Sequence, residues 1–142
     1  MNRPDIMISD SDVSRLDALL GGGLIERLGH VGAFLVTELA RAQVVPARKV
    51  PTNVVAMHST VEFRDNISGR TMVVTLVYPH ESAGRDRSIS VLTPVGAALL
   101  GLSEGQSIAY ETPDGRRRTL TVVKVLETNV GGDGIAADRS PG

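Results

Sequence analysis

The side chains able to catalyse a reaction or bind a metal are few and scattered along this chain. It contains no cysteine, which excludes disulfides and thiolate metal sites. Its three histidines, His30, His58 and His80, do not have the spacing of zinc ligands. None of them stands in a motif with serine and aspartate, so nucleophilic catalysis has no support either. The sequence therefore predicts no enzyme, no cofactor and no metal site.

The basic residues form a single local cluster, Arg116–Arg118, directly after the turn at Pro113–Gly115. Such a cluster could contact RNA or an acidic protein surface, although arginines on an exposed hairpin more often form a solvated face. The formal net charge of −1 argues against a general nucleic-acid-binding protein. With two Phe, two Tyr and no Trp, the chain also lacks the aromatic side chains of a base-stacking surface.

The N-terminal pattern predicts two amphipathic helices. The first follows the capping candidates in Ser9–Asp12 and ends at Gly21–Gly23, because three glycines lose too much entropy to stay helical. The second has an apolar seam close to coiled-coil spacing, made by Leu24, Leu28, Val31, Leu35, Leu39 and Ala42. A short glycine turn between them predicts an antiparallel helical hairpin, with a first arm of about eleven residues or roughly 17 Å.

The remainder alternates with a period of two and predicts an antiparallel sheet. Strands are expected over 54–63, 70–78 and 88–92, and Asp114-Gly115 predicts a further hairpin. Thr93 is placed to cap a short helix whose first residue is Pro94. The fold class is therefore α+β, a short helical hairpin followed by a sheet with one short helix.

These patterns divide the chain into four parts. Residues 1–45 form the hairpin, 46–53 a linker, 54–128 the sheet domain, and 129–142 a disordered tail rich in Gly, Ala and Asp. There is no apolar run near twenty residues and no charged-then-apolar leader, so we expect a soluble cytoplasmic protein.

The stretch Ser88–Gly101 carries a resemblance to a known family. Its sequence, Ser-Ile-Ser-Val-Leu-Thr-Pro-Val-Gly-Ala-Ala-Leu-Leu-Gly, is similar to the signature of the C-terminal domain of Gre-type transcription factors. Thr75–Pro79 and Glu38–Gln43 extend the likeness to short family members called regulators of nucleoside diphosphate kinase. The resemblance covers residues 5–126 and implies an FKBP-like sheet.

The resemblance implies a docking surface for RNA polymerase. Gre C-terminal domains dock on the rim of the polymerase secondary channel through the loop that carries Ser/Thr-Pro. This role carries over to Leu92, Thr93 and Pro94, with Ala97 and Leu100 behind them. Thr93 can cap the helix and contact a partner at the same time. Gre factors usually follow the helix with Gly-Asp, whereas Gln106 stands in the Asp position here.

The expected hairpin tip departs from the family pattern. Gre factors carry Asp-x-x-Glu at the tip of a long coiled coil, where the acids hold a catalytic magnesium ion. Here the tip is Gly21, Gly22, Gly23 and Glu26, with Gly23 in the Asp position, and Asp17 lies back on the first arm. Because magnesium needs several oxygen ligands, a solitary Glu26 predicts no stimulation of transcript cleavage.

The first functional hypothesis is therefore a regulator that binds RNA polymerase, competes with Gre factors and influences nucleoside diphosphate kinase expression. It would be a monomer or weak dimer with neither a membrane nor a sequence-specific nucleic-acid partner. One alternative is a weak cleavage factor that recruits magnesium through Glu26, alone or together with Asp17. The other is a module that self-associates through the seam residues Leu28, Val31 and Leu35.

Overall fold

The computed structural model describes residues 4–81 and 87–128. The N-terminal part runs through β1 (Met7–Ser9), α1 (Asp10–Leu20), α2 (Leu24–Leu28), α3 (His30–Arg41) and β2 (Gln43–Val45). The remainder runs through β3 (Ser59–Asp65), β4 (Thr71–Val77), β5 (Ser88–Ser90), α4 (Pro94–Leu99), β6 (Ser107–Glu111) and β7 (Arg117–Thr128). Short 3-10 turns lie at Ala47–Lys49 and Pro79–Glu81. The predicted disordered tail, 129–142, lies outside the described residues.

The larger sheet has the strand order β5-β4-β3-β7-β6. β3 is antiparallel to both β4 and β7, and β6 is antiparallel to β7. β5 instead runs parallel to β4, with Ser88 opposite Thr75. The predicted purely antiparallel sheet is therefore wrong, because the observed sheet is mixed. An alternating pattern indicates a strand but not its direction. The predicted likeness to FKBP is not confirmed.

The predicted antiparallel helical hairpin is wrong as well. Gly29, at a φ of +60°, follows α2 after only five residues, so the expected second helix is split. β1 precedes α1, β2 follows α3, and these two strands pair in parallel, with Ile8 opposite Val44. The helices thus form the crossover connection that parallel strands require, rather than the two arms of a coiled coil.

A single apolar core joins the helices to the sheet. Leu16 and Leu35 are fully buried in the same cluster as Val61 of β3 and Leu99 of α4. The seam residues Leu28 and Val31 are partly buried against this core. The apolar seam therefore packs against the core that the helices share with the sheet. The four-part division of the chain stays a prediction.

Within residues 4–81 and 87–128, no helix combines the length and apolar character needed to cross a membrane.

A buried carboxylate fastens the N-terminal residues to α3. Glu38 is only 2% exposed, and its two carboxylate oxygens accept hydrogen bonds from Arg41 Nε at 3.0 Å and Nη2 at 2.8 Å. The remaining guanidinium nitrogen, Nη1, donates to the Pro4 carbonyl at 2.7 Å. The fork geometry of arginine lets one side chain neutralise Glu38 and hold the chain just before β1.

We predict that Arg41→Met destabilises the protein by roughly 3 kcal/mol, because a buried carboxylate loses its bidentate cation. Arg48→Met, at an exposed position in the turn Ala47–Lys49, is the control and should change stability by less than about 0.5 kcal/mol. Urea denaturation measures both values.

The double variant Glu38→Leu/Arg41→Met should recover most of the lost stability, since it buries no uncompensated charge. Equal stabilities for Arg41→Met and Arg48→Met would show that the pair contributes little.

Candidate functional site

The turn between β5 and α4 is built around the hydroxyl group of Thr93. Its Oγ1 accepts a hydrogen bond from the Gly96 amide at 3.1 Å and donates one to the Ser90 carbonyl at 2.7 Å. The Thr93 amide donates to the same carbonyl at 3.0 Å. One side chain therefore caps α4 and ties it to the end of β5, and Pro94 occupies the first helical position.

Gly96 allows α4 to approach β5 closely. A Cβ at this position would lie 2.1 Å from the Ser90 carbonyl oxygen and 2.9 Å from its carbon, distances that no real side chain occupies. Glycine is thus required here by close approach of two backbone segments, and the turn that carries Thr93 and Pro94 is held rigidly.

The predicted contact residues fall into two groups by exposure. Leu92, Thr93 and Pro94 are partly exposed, so each can touch a partner directly. Ala97 and Leu100 are 1% and 2% exposed and lie in the core behind them. A direct contact role therefore stays a prediction for the first three residues, and a supporting role for the other two.

α3 lies next to this turn and forms a small hollow with it. The hollow has a volume of about 90 Å³ and is lined by His30, Val31, Phe34, Pro94, Ala97, Tyr110 and Glu111. At its edge, His30 Nδ1 lies 3.7 Å from Glu111 Oε1. The sequence-based prediction missed the α3 residues, because it placed the helices in a separate hairpin.

Comparison with known proteins gives the family. Residues 50–127, which include the Thr93 turn, match the family model described as transcription elongation factor, GreA/GreB, C-term. The regulator of nucleoside diphosphate kinase from Escherichia coli K12 is 43% identical over 127 residues, covering 89% of this chain and 90% of that protein. The chain belongs to the GreA/GreB family. The resemblance expected from Ser88–Gly101 is thereby confirmed.

Other members of the GreA/GreB family match over different lengths. Transcription elongation factor GreA of Desulfovibrio desulfuricans is 35% identical over 94 residues, covering 64% of this chain and 58% of that protein. A solved structure described as a prokaryotic transcription elongation factor GreA/GreB from Nitrosomonas europaea has 42% identity and a TM-score of 0.65, covering 87% of this chain and 98% of that chain. These relatives are named as a regulator and as elongation factors, which indicates a regulatory role in transcription.

The glycine run differs from the acidic tip expected of a GreA/GreB protein. Gly22 and Gly23 have φ values of +70° and +85° and turn the chain from α1 into the five-residue α2. Glu26 lies exposed on α2. Across residues 4–81 and 87–128, no three His, Asp or Glu side chains come together in a way that could hold a metal ion.

The basic cluster is largely paired with acidic side chains. Arg118 Nη2 donates to Asp65 Oδ2 at 2.5 Å, and Arg116 Nε lies 3.5 Å from Asp114 Oδ2. Arg117 stands opposite Glu111 in the β6–β7 ladder. Hydrogen bonds from the Ile67 amide, and then from Arg118, lower the pKa of Asp65 against the effect of burial. The exposure of Arg116 and Arg117 favours the interpretation of these two residues as a solvated face, whereas Arg118 is partly buried in its pair with Asp65.

A polar network that sequence reasoning missed joins α1 to the end of β4. Asp12 accepts hydrogen bonds from the Met57 amide and the Tyr78 hydroxyl, both at 3.3 Å. The Arg15 guanidinium lies 4.4 Å from the centre of the Tyr78 ring. Burial raises the pKa of Asp12, an effect that these hydrogen bonds only partly offset. The network positions the helices on the sheet.

The same network continues into the turn Pro79–Glu81. Glu81 Oε1 accepts from the Tyr78 amide at 2.9 Å, and His58 Nε2 lies 2.9 and 3.1 Å from the two Glu81 oxygens. Burial raises the pKa of Glu81, but the hydrogen bonds from Tyr78 and His58 outweigh burial, so the net pKa lies below its ordinary value of 4.5. His58 itself has a φ of +73°.

This network borders a groove of about 910 Å³. The groove lies between the first turn of α1, residues 47–58 and the end of β7. Pro94 and the neighbouring contact residues do not line it. The groove is therefore separate from the candidate contact site at the Thr93 turn.

We predict that Gly96→Ala destabilises the protein by about 3 kcal/mol, since the new methyl group would force α4 away from Ser90. Gly21→Ala is the control: its φ is −73°, its nearest new contact is Ala18 O at 3.6 Å, and the change should stay within about 0.5 kcal/mol. Chemical denaturation gives both values. Similar stabilities for the two variants would contradict the close approach.

The lowered pKa of Glu81 predicts a specific dependence of stability on pH. The Glu81 carboxylate binds a proton more tightly in the unfolded chain than in the folded protein. Glu81 therefore contributes stability above pH 4.5, and this stability is lost as the pH falls through the lower pKa of the folded state. Glu81→Gln should therefore be less stable than the wild type at pH 7, with a gap that narrows in acid. Thermal unfolding from pH 3 to 7 measures the gap, with Glu26→Gln as an exposed control, and a constant gap would refute the assignment.

Proposed function

We propose that this protein is a transcription regulator that binds RNA polymerase at the entrance of the secondary channel. The observation that carries the proposal is the Thr93 turn, which lies inside the segment that matches the GreA/GreB C-terminal model. Leu92, Thr93 and Pro94 are the contact residues, while Ala97 and Leu100 support them from the core.

The rigidity of the turn supports a binding role. Both hydrogen-bonding functions of the Thr93 hydroxyl are occupied within the protein, and Gly96 locks α4 against β5. A surface that is already ordered loses little conformational entropy when it binds. The partly exposed Leu92 and Pro94 then supply apolar contact area, and the Thr93 backbone fixes their orientation.

We further propose that the protein competes with Gre factors and does not stimulate transcript cleavage. α1 and α3 have 11 and 12 residues, so each is only about 17–18 Å long at 1.5 Å per residue. Glu26 is a single carboxylate, with glycine in the position of the expected aspartate. Magnesium needs several oxygen ligands, so a single carboxylate does not recruit it for transcript cleavage. Competition with Gre factors would instead come from occupying the docking position that both proteins share.

An effect on nucleoside diphosphate kinase belongs to the same proposal. The E. coli relative is named as a regulator of that enzyme. In this chain the effect would act through the level of expression, as a consequence of binding polymerase.

The test is competition between this protein and a full-length Gre factor for purified bacterial RNA polymerase core. We predict displacement by the wild type and roughly tenfold weaker binding by Pro94→Asp, because a charge would enter the apolar centre of the contact. Aspartate is tolerated in the first turn of a helix, so this variant should keep the wild-type melting temperature.

Pro46→Asp, at an exposed position just before the turn Ala47–Lys49, is the matched control for the change of proline to aspartate and should bind like the wild type. Absence of wild-type binding would overturn the proposal. Cleavage of the transcript in stalled elongation complexes, abolished by Glu26→Ala, would replace it with the magnesium-recruiting alternative.

A further inference from the structure

The hollow beside Pro94 is shared between the helical part of the chain and the sheet. Val31 and Phe34 of α3 form one wall, Pro94 and Ala97 of α4 the other, and Tyr110 of β6 lies at its base in the core. Val31 and Pro94 are both partly exposed. The walls are therefore mainly apolar, with the exposed His30 and Glu111 at the edge, and the hollow exists because α3 packs beside α4.

The volume of the hollow limits what can occupy it. At about 90 Å³ it is far smaller than the groove of about 910 Å³. Small-molecule pockets usually measure roughly 300–1,000 Å³, and a cavity that accepts benzene measures about 150 Å³. The hollow thus has the size and chemistry to receive one aliphatic side chain.

We propose that this hollow receives a single aliphatic side chain of RNA polymerase when the protein docks. The inference rests on the proposed function, since Pro94 is both the wall of the hollow and the centre of the proposed contact. Pro94 and Val31 line the same hollow, so a partner surface that contacts Pro94 also meets Val31. Apolar anchors that fill small pockets dominate binding energy at protein interfaces.

The assignment makes α3 a part of the docking surface. The contact would then be composite, formed by the C-terminal domain together with the helical segment. Its affinity depends on the packing of α3 against α4, and not on the Thr93 turn alone.

The absence of native cysteine allows a direct test. Val31→Cys and Val36→Cys place single thiols on the same helix, one at the hollow and one at a position that is 41% exposed and does not line it. Each full-length variant is treated with a maleimide, with and without RNA polymerase core, and its modification is followed by mass spectrometry. We expect polymerase to slow modification of Val31→Cys about tenfold and to leave Val36→Cys unchanged.

Binding measurements with Val31→Lys and Val36→Lys give the energetic counterpart. Val31→Lys should lower the affinity for polymerase about tenfold, and Val36→Lys should bind like the wild type. The thiol variants cover the case in which Val31→Lys fails to fold, because cysteine is smaller than valine and uncharged.

The outcomes separate this inference from the proposed function. If wild-type protein binds, Pro94→Asp loses binding, and Val31→Cys stays unprotected, the docking site holds and the composite surface is refuted. Protection of both thiols to the same degree would also refute it. If the wild type does not bind polymerase, the proposed function fails and takes this inference with it.

Discussion

The position of the N-terminal strand on the end of α4 determines how the rest of the chain is arranged. The Met7 amide donates to the Gly101 carbonyl at 3.2 Å, and the Gln43 amide donates to the Ile6 carbonyl at 3.0 Å. Gly101 ends α4 at a φ of +86°, and a Cβ there would lie 2.8 Å from the Ile6 side chain. One glycine therefore stops a helix and leaves room for β1. The parallel β1–β2 pair then requires the helices to cross over beside α4.

Two polar clusters hold the helical crossover at separate points. Arg41 joins the buried carboxylate of Glu38 to the chain just before β1. Asp12, at the start of α1, bonds to the Met57 amide and the Tyr78 hydroxyl on the sheet. The Ser9 side chain caps α1 by accepting from the Asp12 amide at 3.0 Å. These ties and the shared apolar core hold the helices against the rest of the chain.

Local patterns predicted those elements that depend on neighbouring residues. Thr93 and Pro94 were identifiable as a helix cap and first helical residue, because capping is decided within four residues. The glycines at 21–23 indicated a helix stop for the same reason. The orientation of β5, in contrast, depends on a partner strand distant in sequence, and the alternation of Ser88–Leu92 is the same for either direction. The network of Asp12, His58 and Glu81 was invisible because its members are far apart along the chain.

The sequence by itself determined the family, the Thr93 cap of the short helix and the single carboxylate at the glycine run, since each depends on residue identity and short spacing. Only the tertiary structure decided where the amphipathic helices bury their apolar seam. The spacing of Leu28, Val31 and Leu35 fits a coiled coil and a sheet-packed helix equally well. The pairing of β1 with β2 and the close approach at Gly101 favour the sheet, because both bring α3 against the core in which Leu35 is fully buried.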